Sequence, residues 1–224
     1  GRGGQGASSR EEDFVEHLFV ANTHSYILFF TDKGKCYWVK VYDIPEGGRA
    51  AKGRAIVNLI GCEPDEKVSA FISVKEFNED HYVVMATEKG MVKKTKLYAY
   101  SNPRKKGIYA VEIRDGDKLI EARVSTGDND ILLGTRNGKS IRFSEEQIRA
   151  SGRKTMGVKG ITLSSEDDRL VGMLLIQREG TVLVATEKGF GKRTEISQYR
   201  AQKRGGKGVL TMKTTDKVGK MVTI

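Results

Sequence analysis

One short pattern recurs along the chain and limits the folds that the chain can adopt. It is an apolar run followed by a polar turn that ends in glycine, with copies at Ile27–Gly34, Val83–Gly90, Ile131–Gly138 and Val182–Gly189. The turn glycines are spaced by 56, 48 and 51 residues. Glycine supplies the positive φ that a tight turn between two strands requires, and β-forming residues follow each copy. Each copy therefore predicts a β-hairpin.

A second element follows each hairpin after about twenty residues. It is a Lys-Gly dipeptide that leads into an apolar or β-branched run, at Lys52-Gly53, Lys106-Gly107, Lys159-Gly160 and Lys207-Gly208. An acidic-basic turn and a further apolar strand follow three of these runs, at Asp65–Val68, Asp117–Leu119 and Asp168–Leu170. Each unit of about fifty residues then holds roughly four short strands, the number in a propeller blade.

The repeat predicts an all-β, propeller-like array of four-stranded antiparallel blades. We expect a single domain over residues 1–224, with repeat units at about 1–26 (partial), 27–82, 83–130, 131–181 and 182–224. Tandem small β domains are the alternative, but no Pro- or Ser-rich linker separates the units. The units are therefore expected to pack as one array.

Charge and composition favour a polyanionic partner. Lys plus Arg number 39 against 29 Asp plus Glu, a formal net charge of +10, which suits nucleic acid or an anionic membrane surface. The longest apolar runs, such as Val171–Ile176, are too short to span a bilayer, and the N-terminus has no apolar core typical of a signal peptide. Cys36 and Cys62 lack metal or disulfide spacing. We therefore expect a cytoplasmic location, and the absence of an initial Met predicts that the chain is a fragment.

The sequence gives no support for catalysis or metal binding. His17, His24 and His81 lie far apart in different repeats, so no Ser/His/Asp grouping or zinc motif can be written from them. The segment Gly189–Thr194 departs from a phosphate loop, because Thr186 stands where the first glycine belongs. We therefore expect no catalytic residue, no metal site and no cofactor.

One heptapeptide stands out as a candidate for contact with DNA. It holds three cations and three glycines, and its residues are Gln202, Lys203, Arg204, Gly205, Gly206, Lys207 and Gly208. Glycines let a backbone approach a phosphate closely and present N–H groups to it, while Lys and Arg add charge. The start of the chain, with Arg2, repeats the frame. A flexible basic loop is the alternative.

Further basic residues keep the period of the repeat. They stand three to four residues beyond the turn glycine of three units, and they are Lys93, Lys94, Arg142, Lys192 and Arg193. Residues placed alike in each blade fall on the same rim of a propeller-like array. The spacing therefore predicts a basic belt along which a curved DNA duplex could run.

These residues resemble a known family. Gln202–Gly208 is similar to the heptapeptide box of the C-terminal domain of DNA gyrase A, and Asp13–His24, Ile44–Glu46, Lys52–Leu59 and Gly189–Thr194 also resemble that domain. The resemblance implies a β-pinwheel, whose blades exchange strands, with duplex DNA wrapped around its basic perimeter. It further implies a parent ATP-dependent type II topoisomerase, in which the catalytic tyrosine, ATP and magnesium belong to other domains. The implied partners are duplex DNA, the remainder of gyrase A, and gyrase B, in a heterotetramer.

Two departures and three alternatives remain open at this stage. The family's box belongs to the first blade, whereas here the complete box lies in the last unit and Gln5 replaces a cation in the first. The family has about six blades and this chain stops within the fifth unit, so we expect a pinwheel that is truncated or incomplete relative to six blades. The alternatives are the C-terminal domain of the topoisomerase IV subunit, a propeller scaffold for protein partners, and a propeller enzyme. The intact box disfavours the first, and the presence of only one tryptophan, Trp38, disfavours the second.

Overall fold

The computed structural model describes residues 25–40, 61–177 and 179–224. These residues form short β-strands joined by turns and three single-turn 3-10 helices, which confirms the all-β prediction. The strands are β1 (Tyr26–Thr31), β2 (Lys35–Lys40), β3 (Val68–Val74), β4 (Tyr82–Thr87), β5 (Met91–Lys96), β6 (Ile108–Tyr109), β7 (Leu119–Ser125), β8 (Asp130–Thr135), β9 (Lys139–Ser144), β10 (Val158–Lys159), β11 (Leu170–Ile176), β12 (Thr181–Thr186), β13 (Gly191–Glu195), β14 (Val209–Leu210) and β15 (Met221–Thr223). In this part of the chain no helix is long and apolar enough to cross a membrane.

The four predicted hairpins are confirmed as β1–β2, β4–β5, β8–β9 and β12–β13. All four turns share one geometry: a threonine hydroxyl accepts a hydrogen bond from the backbone N–H four residues later, at 3.1–3.2 Å. The turn glycine in each case has φ between 83° and 91°. A threonine three residues before a glycine is therefore the local signal that produces each hairpin.

Each sheet combines a hairpin with strands from elsewhere in the repeat. The strand orders are β3-β1-β2-β6 in the first sheet, β10-β5-β4-β7 in the second, β11-β8-β9-β14 in the third and β13-β12-β15 in the fourth. Strands β6, β10 and β14, here called the exchanged strands, each follow the hairpin of one sheet but pair with the hairpin of the sheet before it. The sheets therefore do not coincide with contiguous repeat units, and the expected exchange of strands between blades is present.

One of the predicted Lys-Gly elements is placed differently in the structure: the glycine that precedes the second exchanged strand is Gly157 and not Gly160. Gly107, Gly157 and Gly208 are the equivalent glycines, each with positive φ (79°, 81° and 72°) immediately before an exchanged strand. The second exchanged strand therefore begins at Val158, before Gly160 rather than after it. The predicted Lys52-Gly53 copy lies outside the described residues.

The cores lie between neighbouring sheets. Val83 and Met85 of β4 pack against the first sheet, whereas Val84 and Ala86 pack against the third. Because successive side chains of a strand point to opposite faces, one strand serves two interfaces and is apolar along its whole length. This arrangement explains the continuous apolar runs of the repeat and produces a propeller-like row of face-to-face sheets.

Candidate nucleic-acid interface

Three segments lead into the exchanged strands and occupy equivalent places in three sheets. We call residues 102–107, 152–157 and 202–208 the exchanged loops. A Cβ atom on Gly208 would overlap the carbonyl oxygen of Ser140, and one on Gly157 would overlap that of Val92. Glycine is required there because the loop comes down directly onto the neighbouring hairpin. The first residue of each exchanged strand pairs with the second residue of the adjacent hairpin strand, so the three loops enter their sheets at the same register.

The exchanged loops hold eight cations and no acidic residue. Six of these cations are exposed, namely Arg104, Lys105, Lys106, Lys154, Lys203 and Lys207, whereas Arg153 and Arg204 are half-buried. The hairpin turns differ, because acidic residues such as Asp32, Glu88 and Glu187 stand beside their lysines. The positive charge of the described sheets is therefore concentrated on the exchanged loops.

The heptapeptide forms the third exchanged loop. Lys203 and Lys207 are exposed, as contact with phosphate requires. The N–H of Arg204 donates to Oε1 of Gln147 at 2.8 Å, and the N–H of Gly205 donates to the carbonyl of Gly160 at 2.9 Å. These two N–H groups are already used within the protein. Arg204 and Gly205 therefore offer no free backbone N–H group to an anion, and the exposed lysine side chains of the loop are its candidate phosphate ligands.

The backbone of Gln202, Gly205 and Gly206 makes further hydrogen bonds within the protein. The N–H of Gln202 donates to the carbonyl of Arg142 at 2.7 Å. The carbonyls of Gly205 and Gly206 accept hydrogen bonds from the hydroxyl and the N–H of Thr162, at 2.6 and 2.9 Å. The glycine-rich part of the loop is thus held against the preceding exchanged strand.

The predicted belt needs correction at Lys93 and Lys94, because the structure buries both. Lys93 is 1% exposed, and its Nζ donates to the carbonyls of Ala110 and Arg153 at 2.6 and 2.7 Å. Lys94 is 7% exposed, with its Nζ 3.3 Å from the carbonyl of Glu145 and 4.8 Å from the ring centroid of Tyr82. These lysines join neighbouring sheets and do not face a perimeter.

Arg142 takes the same position in the third sheet as Lys94 in the second. Its Nε pairs with Asp130 at 2.8 Å, and its Nη1 donates to the carbonyls of Ile196 and Tyr199 at 3.0 and 3.2 Å. Lys94 and Arg142 therefore each contact the turn that follows the next hairpin. Arg142 is accordingly a link between the third and fourth sheets, which corrects its place in the predicted belt.

The remaining predicted belt residues differ in their surroundings. Lys192 and Arg193 are both exposed on β13, although Nζ of Lys192 lies 3.0 Å from the carbonyl of Thr211. Arg2 lies outside the described residues. The predicted belt lay on the hairpins and did not include Arg104, Lys105, Lys106, Lys154 or Lys159. The repeated Lys-Gly element was the signal that could have located them.

Burial changes the protonation of Lys93. Loss of solvent is the larger cause and the nearby charge of Arg153 the smaller one, and together they lower the pKa of Lys93 to about 7. An unfolded lysine titrates near 10.4, so between these values the unfolded chain binds the additional proton. The free energy of unfolding therefore rises with pH across this window, and falls as pH drops towards 7.

We expect Lys93→Met to remove this pH dependence while keeping a side chain of similar length. Between about pH 7.5 and about pH 9.5, the wild type is expected to gain roughly 2 kcal/mol of unfolding free energy relative to the variant. Urea denaturation at the two pH values measures the difference. A difference between the two proteins that stays constant with pH would contradict the assignment.

The described residues hold no cluster suited to a metal ion, and burial raises the pKa of both cysteine thiols. Within residues 25–40, 61–177 and 179–224, no group of three His, Cys, Asp or Glu side chains is arranged to hold a metal ion. Burial is the main cause that raises the pKa of the Cys62 thiol to about 12, with the carboxylate of Glu66 contributing. The Cys36 thiol is buried and its pKa is also raised by burial. Neither thiol is activated as a nucleophile.

Comparisons with known proteins agree with this arrangement. The sequence model described as "DNA gyrase C-terminal domain, beta-propeller" matches residues 25–75, 81–126, 129–177 and 180–224. The DNA gyrase A protein of Clostridium acetobutylicum is 50% identical over 224 residues, covering 100% of this chain and 27% of the relative. That of Salmonella typhimurium is 44% identical over 224 residues, covering 99% of this chain and 25% of the relative. The chain thus spans about a quarter of the length of these relatives.

Solved structures show the same fold. A crystal structure of the C-terminal domain of DNA topoisomerase IV has a TM-score of 0.79 and 28% identity, covering 90% of this chain and 62% of the other. A DNA gyrase A C-terminal domain has a TM-score of 0.76 and 25% identity, covering 90% and 65%. The topoisomerase IV alternative rests on this structural likeness, whereas the family match and the higher identities favour gyrase. The chain belongs to the DNA gyrase C-terminal domain family, with the β-pinwheel fold of strand-exchanging blades.

Proposed function

We propose that this chain binds duplex DNA along its exchanged loops and holds the duplex in a curve. The observation that carries the proposal is the placement of six exposed cations, without an acidic residue, on three equivalent loops of adjacent sheets. Lysine and arginine neutralise backbone phosphates irrespective of base sequence. A row of such loops offers contacts at intervals along a bent duplex rather than at one point.

Spacing the contacts suits bending. Bending 20–30 base pairs by 40–90° costs on the order of 1–6 kcal/mol, which must be offset by contacts along the bent segment. One basic loop could bind DNA without bending it, whereas loops on successive sheets favour a duplex that follows the row. The duplex is then curved because the loops it contacts belong to successive blades of a propeller-like array.

In the parent protein, this curvature would serve negative supercoiling. The family and the names of the relatives support a role as the DNA-wrapping domain of an ATP-dependent type II topoisomerase. The strand-passage chemistry, with its catalytic tyrosine, ATP and magnesium, is assigned to other parts of the parent. The partners proposed for the domain are duplex DNA, the remainder of gyrase A and gyrase B, in the bacterial cytoplasm.

A salt series on the purified chain tests the proposal. If about six phosphates are neutralised, log K should fall with log salt with a slope of about −5. Short duplexes of different sequence should bind with similar affinity, because phosphates carry no sequence information. Fluorescence anisotropy of labelled duplexes measures both quantities. An affinity independent of salt, or a strong preference for one short sequence, would count against DNA wrapping.

A further inference from the structure

The guanidinium of Arg204 lies between two sheets. Its Nε donates to the carbonyl of Gln147 at 3.1 Å, and its Nη1 donates to the carbonyl of Lys159 at 2.7 Å. Gln147 belongs to the turn after the hairpin of the third sheet, whereas Lys159 is in β10, the exchanged strand of the second sheet. One side chain thus connects a loop of one blade to the exchanged strand of the blade before it.

Arg153 makes the same connection one blade earlier. Its Nη1 donates to the carbonyl of Tyr109, in β6, at 3.1 Å. Tyr109 and Lys159 are equivalent, because each is the second residue after the positive-φ glycine of its exchanged loop. The buried Nζ of Lys93 holds the carbonyl of Arg153 at 2.7 Å, which fixes the backbone from which this guanidinium extends.

Backbone hydrogen bonds accompany both arginines. The N–H of Glu112 donates to the carbonyl of Thr155 at 3.0 Å, and the N–H of Thr162 donates to that of Gly206 at 2.9 Å. Glu112 and Thr162 are equivalent positions, each five residues after its loop glycine. The second and third exchanged loops are thus each tied by an arginine to the exchanged strand of the preceding blade, and by the main chain to the residues that follow that strand.

We propose that Arg153 and Arg204 are positioning residues that fix successive exchanged loops relative to one another, and that they do not serve as phosphate ligands. The planar guanidinium presents several donors in a rigid fork, so it can reach two carbonyls that belong to different elements. Arg204 uses two separate nitrogens, Nε and Nη1, for its two carbonyls, and the single ammonium of a lysine at this position lacks that spacing. The arginine of the heptapeptide then sets the angle between the blades that carry the exposed lysines.

The consequence for DNA rests on the proposed function. If Lys203 and Lys207 contact phosphates, the arginine joint determines where those contacts fall along the duplex. Loss of the joint should then reduce curvature more than affinity, because the exposed lysines remain. Loss of a residue that binds phosphate would instead lower the affinity and make the slope of log K against log salt shallower, because one counterion fewer is released on binding.

Hydrogen exchange and a salt series on three variants of this chain test the inference. In Arg204→Gln, we expect the amides of Gly205 and Thr162 to exchange roughly tenfold faster without DNA, since their hydrogen bonds cross the joint. Arg204→Lys should show the same acceleration although it keeps the charge. The slope of log K against log salt should equal that of the wild type in both variants, while the linking-number shift of plasmid ligated with the protein bound should shrink.

Lys203→Gln is the matched control, one residue away on the same loop. It should leave amide exchange unchanged and reduce the salt slope by about one. The inference is overturned if Arg204→Gln reduces the slope by about one and leaves exchange unaltered, or if Arg204→Lys keeps wild-type protection. If the wild type itself shows no salt-dependent DNA binding, the proposed function fails, whereas the exchange measurements still decide the role of Arg204.

Discussion

Replacing Lys106, Lys154, Lys203 and Lys207 together with alanine is expected to lower the affinity for duplex DNA by roughly 10³- to 10⁴-fold in about 50 mM salt. Each contact between a lysine and a phosphate contributes about tenfold at this ionic strength through counterion release. All four side chains are exposed, so their removal should leave the fold intact. The salt slope should become shallower by about four. Anisotropy titrations across a salt series measure both effects.

A variant with the same loss of net charge at other positions tests whether the position of the lysines matters. Lys67, Lys89, Lys118 and Lys188 are also exposed but stand in the turns that contain acidic residues, so their replacement by alanine removes the same charge elsewhere. We expect this control to lose at most about tenfold in affinity through the long-range field. Equal losses in the two variants would mean that overall charge, and not the exchanged loops, binds the DNA.

Gly138→Ala is expected to destabilise the fold by roughly 3 kcal/mol. The residue has φ of 86°, which costs a non-glycine residue about 1–2 kcal/mol. A Cβ atom there would also overlap the carbonyl oxygen of Met212, which follows the exchanged strand β14, and such overpacking costs about 1–3 kcal/mol. Urea denaturation with a common m-value measures the loss.

Gly189→Ala provides the comparison at the equivalent turn of the fourth hairpin. Gly189 has nearly the same φ, 83°, but a Cβ atom would meet nothing within 4 Å among the described residues. Only the backbone term applies there, so the expected loss is about 1 kcal/mol. The difference between the two variants reports the contact between the hairpin turn and the incoming strand. Equal losses would show that this contact does not contribute to stability.

Local features of the fold were predictable from the sequence because they depend on neighbouring residues. Each hairpin is specified within about ten residues by apolar strands, a threonine and a glycine at fixed spacing. The period of about fifty residues then indicated a blade array. The partners of the exchanged strands were not predictable from these signals, because β6 pairs with β2 across more than seventy residues and holds only two residues.

The interface was predicted only in part, for a similar reason. Lys93 and Lys203 are both lysines in basic segments, yet one is buried and the other exposed. The equivalent positions of Lys93 in the first and third hairpins are held by Tyr37 and Ile141, both buried, so comparison between repeats could have revealed the burial. The sequence alone did locate the heptapeptide that forms the third exchanged loop.

The strands, the hairpin turns, the repeat and the family are all predictable from the amino-acid sequence of this protein. Which cations face solvent and which arginines join blades depends instead on how the sheets pack. Burial of a side chain is set by the sheet packed against it, and in this fold that sheet is completed by a strand from another repeat. A basic residue can therefore be exposed to solvent at one position of the period and link two blades at another.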